Sequence, residues 1–251
     1  TKLQKLDLSN FVTTNVNTMS YMFYNCNALT ELNISSFNTT NVTTMYGMFY
    51  GCKSLTELDV SNFVTTNVKS ISGMFNRCEL ITKLDLRNFN TSNVSNMSNL
   101  FYNCRELADL NISSFDTSNV DDMGYMFNNC NKLTELDLSH FVTDNLTVMN
   151  AMFYNCNVLT TLDISSFNTS NVTTMANLFY NCSSLLELDL SNFDTSNVTT
   201  MSGMFNGCKS LSELDVNHFV TDNVTNISSM FTGCSCDITF TNKNTSKVTN
   251  A

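Results

Sequence analysis

Phenylalanine returns every 26 residues, at Phe11, Phe37, Phe63, Phe89, Phe115, Phe141, Phe167, Phe193 and Phe219, without slippage. Cysteine keeps the same beat from Cys26 to Cys234. No segment interrupts the period, so every unit carries the same apolar pattern and buries it by stacking on copies of itself. The expectation is a single solenoid of about nine coils over residues 1–236, with 237–251 as an irregular last coil or C-terminal cap. Such a chain presents a long, ruled surface rather than a pocket.

One unit shows how a coil is built. In residues 11–36, Val16, Met19, Met22, Phe23 and Cys26 are spaced three and four apart, which predicts a short helix with one buried face. Asn15 stands where an N-cap would. Leu29, Leu32 and Ile34 then follow a period of two, alternating with Glu31, Asn33 and Ser35, which predicts a strand with one wet face. The apolar columns exchange residues by volume: Leu146 for valine, Ile71 and Ile227 for methionine, Leu100 and Leu178 for methionine. Swaps of this kind are tolerated in packed interiors. Stacking would place equivalent strands side by side, about 4.7–4.9 Å apart, as one parallel sheet. The spacing L-x-x-L-x-L in 29–34, 55–60, 107–112 and 185–190 is that of a leucine-rich repeat. The predicted fold class is thus an α/β solenoid, a right-handed leucine-rich-repeat superhelix with a parallel β-sheet on one face and short helices on the other.

Composition narrows the function. The formal net charge of −10 argues against a nucleic acid or an anionic membrane surface as partner. No run of eighteen apolar residues predicts a membrane span, and no basic-then-apolar segment opens the chain. Thr1 falls one residue past a cysteine position of the repeat, so the chain is expected to be a fragment whose anchor lies outside it.

The repeat is best weighed column by column. The cysteines read as buried packing thiols: nine in one column cannot all pair, and Cys234 with Cys236 is the only close pair, too little for a zinc site. The Thr13 and Asn15 columns, present in all nine coils, read as local hydrogen-bonding devices around a helix cap, with a water-ordering threonine array as the alternative. Tyr24, Tyr50, Tyr102, Tyr154 and Tyr180 share a column, interrupted by Asn76, Asn128 and Asn206, and read as rings covering the helix edge. On the strand, two acidic columns face water. Asp59, Asp85, Asp137, Asp163, Asp189 and Asp215 occupy one, and Glu57, Glu135, Glu187 and Glu213 the other; these are the candidate partner-binding residues. Stacked like charges repel, which a cationic partner would relieve. Divalent cations are the weaker alternative, because calcium wants ligands wrapped around it. Lys5 and Lys83 break the glutamate column.

Nothing in the sequence points to catalysis. His140 and His218 are three coils apart, roughly 14 Å at strand spacing, too far for a relay or a metal pair. Translational repetition also makes the carboxylate environments alike, whereas acid–base chemistry needs environments that differ. No catalytic residue, metal site or cofactor is predicted.

The unit F-x-T-x-N-V-x-x-M-x-x-M-F-x-x-C-x-x-L-x-x-L-x-L-S-x-F resembles the BspA-type leucine-rich repeat of bacterial surface proteins, in the variant found in mycoplasma lipoproteins. The resemblance covers essentially the whole chain. It implies a non-enzymatic module on a bacterial cell surface, adhering to a host or neighbouring-cell protein; the acidic columns add the expectation of a basic partner, and a structural stalk is the alternative. Asp237, standing where a leucine belongs, and 244–248, lacking their phenylalanine, depart from the pattern.

Overall fold

The computed structural model describes residues 3–239; 244–248 lie outside the described residues. Eight short strands recur along the stack: β1 (Lys5–Asp7), β2 (Glu31–Asn33), β3 (Lys83–Asp85), β4 (Asp109–Asn111), β5 (Glu135–Asp137), β6 (Thr161–Asp163), β7 (Glu213–Asp215) and β8 (Asp237–Thr239). All pairing is parallel, β1 with β2, β3 with β4, β5 with β6 and β7 with β8. The first three pairs keep the 26-residue register, with Leu6 opposite Leu32, Leu84 opposite Leu110 and Leu136 opposite Leu162. The strand face is therefore four two-stranded ribbons rather than one continuous sheet. Coils at 57–59 and 187–189 keep the same alternation, Leu58 and Leu188 half-buried between exposed carboxylates, without regular pairing.

An unbroken ladder does exist, at a different place in the coil. Single parallel bridges join Thr18, Thr44, Ser70, Asn96, Asp122, Val148, Thr174, Thr200 and Asn226, linking nine coils in succession.

The expected helices are absent: no helix occurs among the described residues. The segment that would have carried one is a run of turns. The Met22, Tyr24 and Cys26 amides donate to the Met19, Tyr21 and Phe23 carbonyls of their own coil. The Met19, Tyr21, Phe23 and Asn25 amides donate instead to the Thr44, Tyr46, Met48 and Tyr50 carbonyls of the next. Alternate amides thus serve the coil and the stack, so backbone donors that an α-helix would pair internally find partners another way. Two residues in each coil adopt positive φ, as the third residue of a type II turn must. They are Tyr21 (58°) and Asn25 (56°) in the first coil, Gly47 and Gly51 in the second, Asn99 and Asn103 in the fourth. A helix about 10 Å wide could not repeat at the spacing of adjacent strands without splaying the stack. Turns can, and they still direct residues three and four apart inward. Asn15 accordingly caps no helix. Its column bonds the preceding coil, as in Asn41 Nδ2 donating to the Thr14 carbonyl at 2.8 Å.

Inside, the columns behave as their volumes suggest. Leu136 and Leu138 are buried. Phe23, Phe49, Phe75, Phe101, Phe127, Phe153, Phe179, Phe205 and Phe231 stack ring on ring at 5.5–5.9 Å. Threonine fills an internal column too. Thr39, Thr91 and Thr117 are at most 1% exposed, and each hydroxyl works twice: Thr39 Oγ1 donates to the Val64 carbonyl at 2.9 Å and accepts the Val64 amide at 2.7 Å. Because this column is interior, it cannot present a water-ordering array.

The cysteines are free. From Cys52 to Cys208, each column thiol donates to the phenylalanine carbonyl 29 residues earlier, at 3.1–3.4 Å. Burial pushes Cys52 and Cys156 up to about 12, so these thiols stay protonated. They are packing groups and hydrogen-bond donors.

The last coil is two residues short. Asp237 lies opposite Glu213 and Ile238 opposite Leu214, a register of 24 where the earlier pairs have 26. Asp237 consequently occupies the outward glutamate column rather than the leucine position that an unbroken period assigns to it.

Candidate functional site

The two acidic columns of the strand face turn out to have different jobs. The aspartate column closes a turn. Asp59 Oδ1 accepts the Ser61 amide at 2.9 Å, Asp137 Oδ1 that of Ser139 at 2.9 Å, and Asp189 Oδ1 that of Ser191 at 2.9 Å. Asp163 accepts both the amide and the hydroxyl of Ser165, at 3.0 and 2.7 Å. Asp85 accepts the Arg87 amide, and Asp215 that of Asn217. Asn33 and Asn111 fill this column with the same bond, to Ser35 and Ser113, because the turn needs only a side-chain oxygen. The Ser165 hydroxyl and amide hold the Asp163 carboxyl below the usual carboxylate range; the Ser61 amide and hydroxyl do so for Asp59.

The glutamate column holds up no turn. The side chains of Glu57, Glu135, Glu187 and Glu213 are exposed and have no hydrogen bond or ion pair among the described residues. Of the ten candidate residues, these four are the ones whose identity the fold leaves open.

Charge is distributed unevenly along the face. In coils 1–5 cations answer three of the six strand-face acids, leaving Asp7, Glu57 and Asp59 without an ion pair among the described residues: Lys5 pairs with Glu31, Lys83 with Asp109 at 2.6 Å, and Arg87 with Asp85 at 2.7 Å. In coils 6–9 seven carboxylates, Glu135, Asp137, Asp163, Glu187, Asp189, Glu213 and Asp215, have no ion pair among the described residues. The cause is legible at a spacing of 78 residues, three coils: Lys5 and Lys83 recur as Thr161. Sequence reasoning noted the two lysines and missed the third member of their set.

Over coils 6–8 five of these carboxylates, Glu135, Asp137, Asp163, Glu187 and Asp189, line an open groove of about 670 Å³ that also includes Thr161 and Leu186. Leu186 is 53% exposed, in a column otherwise held by Gln4, Thr30, Thr56, Thr82, Ala108, Thr134, Thr160 and Ser212. It supplies an apolar point inside an acidic trough. A larger groove, about 1250 Å³, lies over coils 1–4 and contains Lys5, Lys83 and Arg87.

The histidines belong to the frame rather than to a reactive centre. Asn62 Nδ2 donates to the Ile34 and Phe37 carbonyls of the preceding coil at 3.1 and 2.9 Å. His140 and His218 take over that role, each donating from Nε2, to the Ile112 and Leu190 carbonyls at 3.2 and 2.9 Å. The tyrosines lie on the turn segment, half-buried or exposed, with Tyr154 stacked on Tyr180 at 4.6 Å. Among the described residues no group of three or more His, Cys, Asp or Glu is arranged to hold a metal ion, and no helix is long and apolar enough to cross a membrane.

A parallel stack of L-x-x-L-x-L strands with a varied polar face defines a leucine-rich-repeat solenoid. Within that class, the chain belongs to the family described as "Mycoplasma protein of unknown function, DUF285", which matches residues 1–84, 79–161 and 156–251. Those three steps are close to the three-coil spacing of the lysine set. The family is in keeping with the mycoplasma-type repeat that the unit resembles.

Among solved structures, the chain is similar to a leucine-rich cell surface protein from Faecalibacterium prausnitzii, with 15% identity over 99% of this chain and 86% of that one, TM-score 0.36. A leucine-rich-repeat protein from Eubacterium ventriosum shares 15% identity over 94% and 85%, TM-score 0.40. An internalin from Listeria monocytogenes shares 15% over 90% and 79%, TM-score 0.24. No curated protein matches the chain.

Proposed function

We propose that this chain is a non-enzymatic protein-binding module of a bacterial cell surface, an adhesion element held by an anchor outside the segment. We assign its contact surface to the strand face of coils 6–9. The observation that carries this reading is the trough around Leu186, where five carboxylates stand without counter-charges beside an exposed leucine. Such a surface favours an extended segment of a partner protein that alternates lysine or arginine with an apolar side chain. Charge would set the rate and orientation of encounter, and the leucine would supply desolvated contact.

The aspartates contribute field but are fixed by their turns, so selectivity falls to Glu135, Glu187 and Glu213. The stalk remains the competing function, favoured by the bridge ladder that runs through nine coils without a break.

The test uses an oligopeptide alternating lysine and leucine, immobilised, with the chain in solution. The binding reading expects saturable, salt-sensitive capture that Glu135→Lys with Glu187→Lys weakens roughly tenfold, at unchanged melting temperature. Absence of saturable capture, or capture indifferent to both substitutions, favours the stalk.

A further inference from the structure

Eight of the ten cysteines sit in the regular column with no second thiol in contact, and from Cys52 to Cys208 each is engaged with a backbone carbonyl. The last coil breaks this rule. Cys234 continues the column by sequence, yet its Sγ lies 2.8 Å from Cys236 Sγ, and both residues are partly exposed. The cause is the register: the strand that normally starts five residues after the column cysteine starts three after Cys234, at Asp237. The shortened connection places Cys236 at the register position of Ser212, immediately before β8.

Two sulfurs so close are within about 0.8 Å of bonding distance. A third metal ligand is missing among the described residues, which leaves bond formation between the two as the chemistry this pair offers.

We propose that Cys234 and Cys236 form a reversible intrachain disulfide, made by exchange with a disulfide-bearing oxidant, that closes the terminal coil against β8. The Cys234 thiolate attacks one sulfur of the oxidant, expelling the other as a thiolate and leaving a mixed disulfide on Cys234. Cys236 then attacks the Cys234 sulfur, losing its proton to solvent, and the second half of the oxidant departs as a thiol. Two thiols of the protein are oxidised and one disulfide of the oxidant is reduced to two thiols. Burial and the neighbouring thiol push Cys236 up to about 12; its attack comes second because the mixed disulfide on Cys234 is then held beside it. The column thiols, interior and protonated, are spectators.

The test treats the native, reduced chain with glutathione disulfide, alkylates it and reads intact and peptide masses. The expected end state is a loss of two hydrogens confined to the peptide carrying 234–236, reversed by a reducing dithiol. Cys236→Ser should halt the exchange at a glutathione adduct on Cys234, and hydrogen exchange in β8 should slow only in the oxidised wild type. Wild-type chain that ends with both thiols alkylated, or carrying glutathione instead of the internal bond, overturns the proposal. Because the mass readout on wild type needs no variant, misfolding of Cys236→Ser would not leave the question open.

Discussion

The strand face of coils 1–5 and that of coils 6–9 are built on the same interior and differ in what answers their acids. In the first, Lys5, Lys83 and Arg87 sit within ion-pair distance of Glu31, Asp109 and Asp85. In the second, the corresponding lysine position is Thr161, and seven carboxylates face water alone. The difference teaches where this repeat is free to vary. The phenylalanine, cysteine and threonine columns are locked by stacking and by hydrogen bonds that cross from coil to coil. The aspartate column is locked by its turn. Only the glutamate column and its neighbours are left to carry a message, and the two regions use that freedom in opposite senses.

The most severe way to break the comparison is to ask whether the regions also differ in fold. Phe127 lies at their junction, fully buried between Phe101 and Phe153. Phe127→Ala should cost about 3–5 kcal/mol and, if the stack is one cooperative body, lower a single urea transition. Two separate transitions, with coils 6–9 melting first, would show that the acidic region is a distinct and weaker unit.

A smaller loss is expected inside the threonine column. Thr143 Oγ1 donates to the Asn168 carbonyl at 3.0 Å and accepts its amide at 2.7 Å, in a residue 1% exposed. Thr143→Val keeps the volume and strands both backbone groups, an expected cost of about 1–3 kcal/mol by chemical denaturation. A neutral outcome would mean that water reaches the column, contrary to its burial.

Much of this was legible in the sequence, and the reason is the period. Translation symmetry turns nine weak hints into one strong one, so the leucine, phenylalanine and cysteine columns could be assigned to the interior without coordinates. The helix could not, because spacing of three and four is shared by helices and by turns of alternating type. The discriminating signal was present: Gly47 and Gly51, Asn99 and Asn103, Gly203 and Gly207 recur four apart, and all adopt positive φ. Glycine and asparagine tolerate that conformation, and paired at this spacing they argue against a helix. Tyr21, Tyr125 and Arg77 at the same positions hid it. Within the site, the exposure of the acidic columns was readable. Their division into turn-forming aspartates and unattached glutamates was not, since the contact to residue i+2 has no signature beyond a serine that a wet strand end would carry anyway.

At the surface, the comparison predicts unequal effects of equal substitutions. Glu187→Lys should weaken capture of a cationic peptide by roughly tenfold at low salt. Glu57→Lys, near the ion pairs of the first region, should change it much less; equal losses would remove the distinction between the regions.

The turn aspartates add a pH dependence with a definite sign. Asp163 is held below its ordinary value in the folded chain, chiefly by the Ser165 hydroxyl and amide. Its contribution to stability is therefore complete above the unfolded value of about 3.9 and is lost as pH falls through the lower folded value. Ser165→Ala removes the hydroxyl and keeps the amide, so the carboxyl should titrate higher, by carbon NMR, with no change above pH 5. An unshifted titration would place the cause in the amide alone.

The finest test transplants the missing cation. In the first region the lysine of one coil reaches the acid of the next, Lys5 to Glu31 and Lys83 to Asp109. Three coils further on, Thr161 precedes Glu187 in the same relation. Thr161→Lys should therefore pair with Glu187. Both groups are exposed, so thermal stability should hardly move; the residue belongs to no turn and fills no interior column. What should change is recognition: one counter-charge in the trough converts coils 6–8 toward the pattern of coils 3–5, and the salt dependence of peptide capture should flatten. If stability rises clearly while capture stays as it was, the absence of lysine at this position was a matter of folding. If capture weakens at constant stability, the acids of coils 6–9 are kept unpaired for a partner.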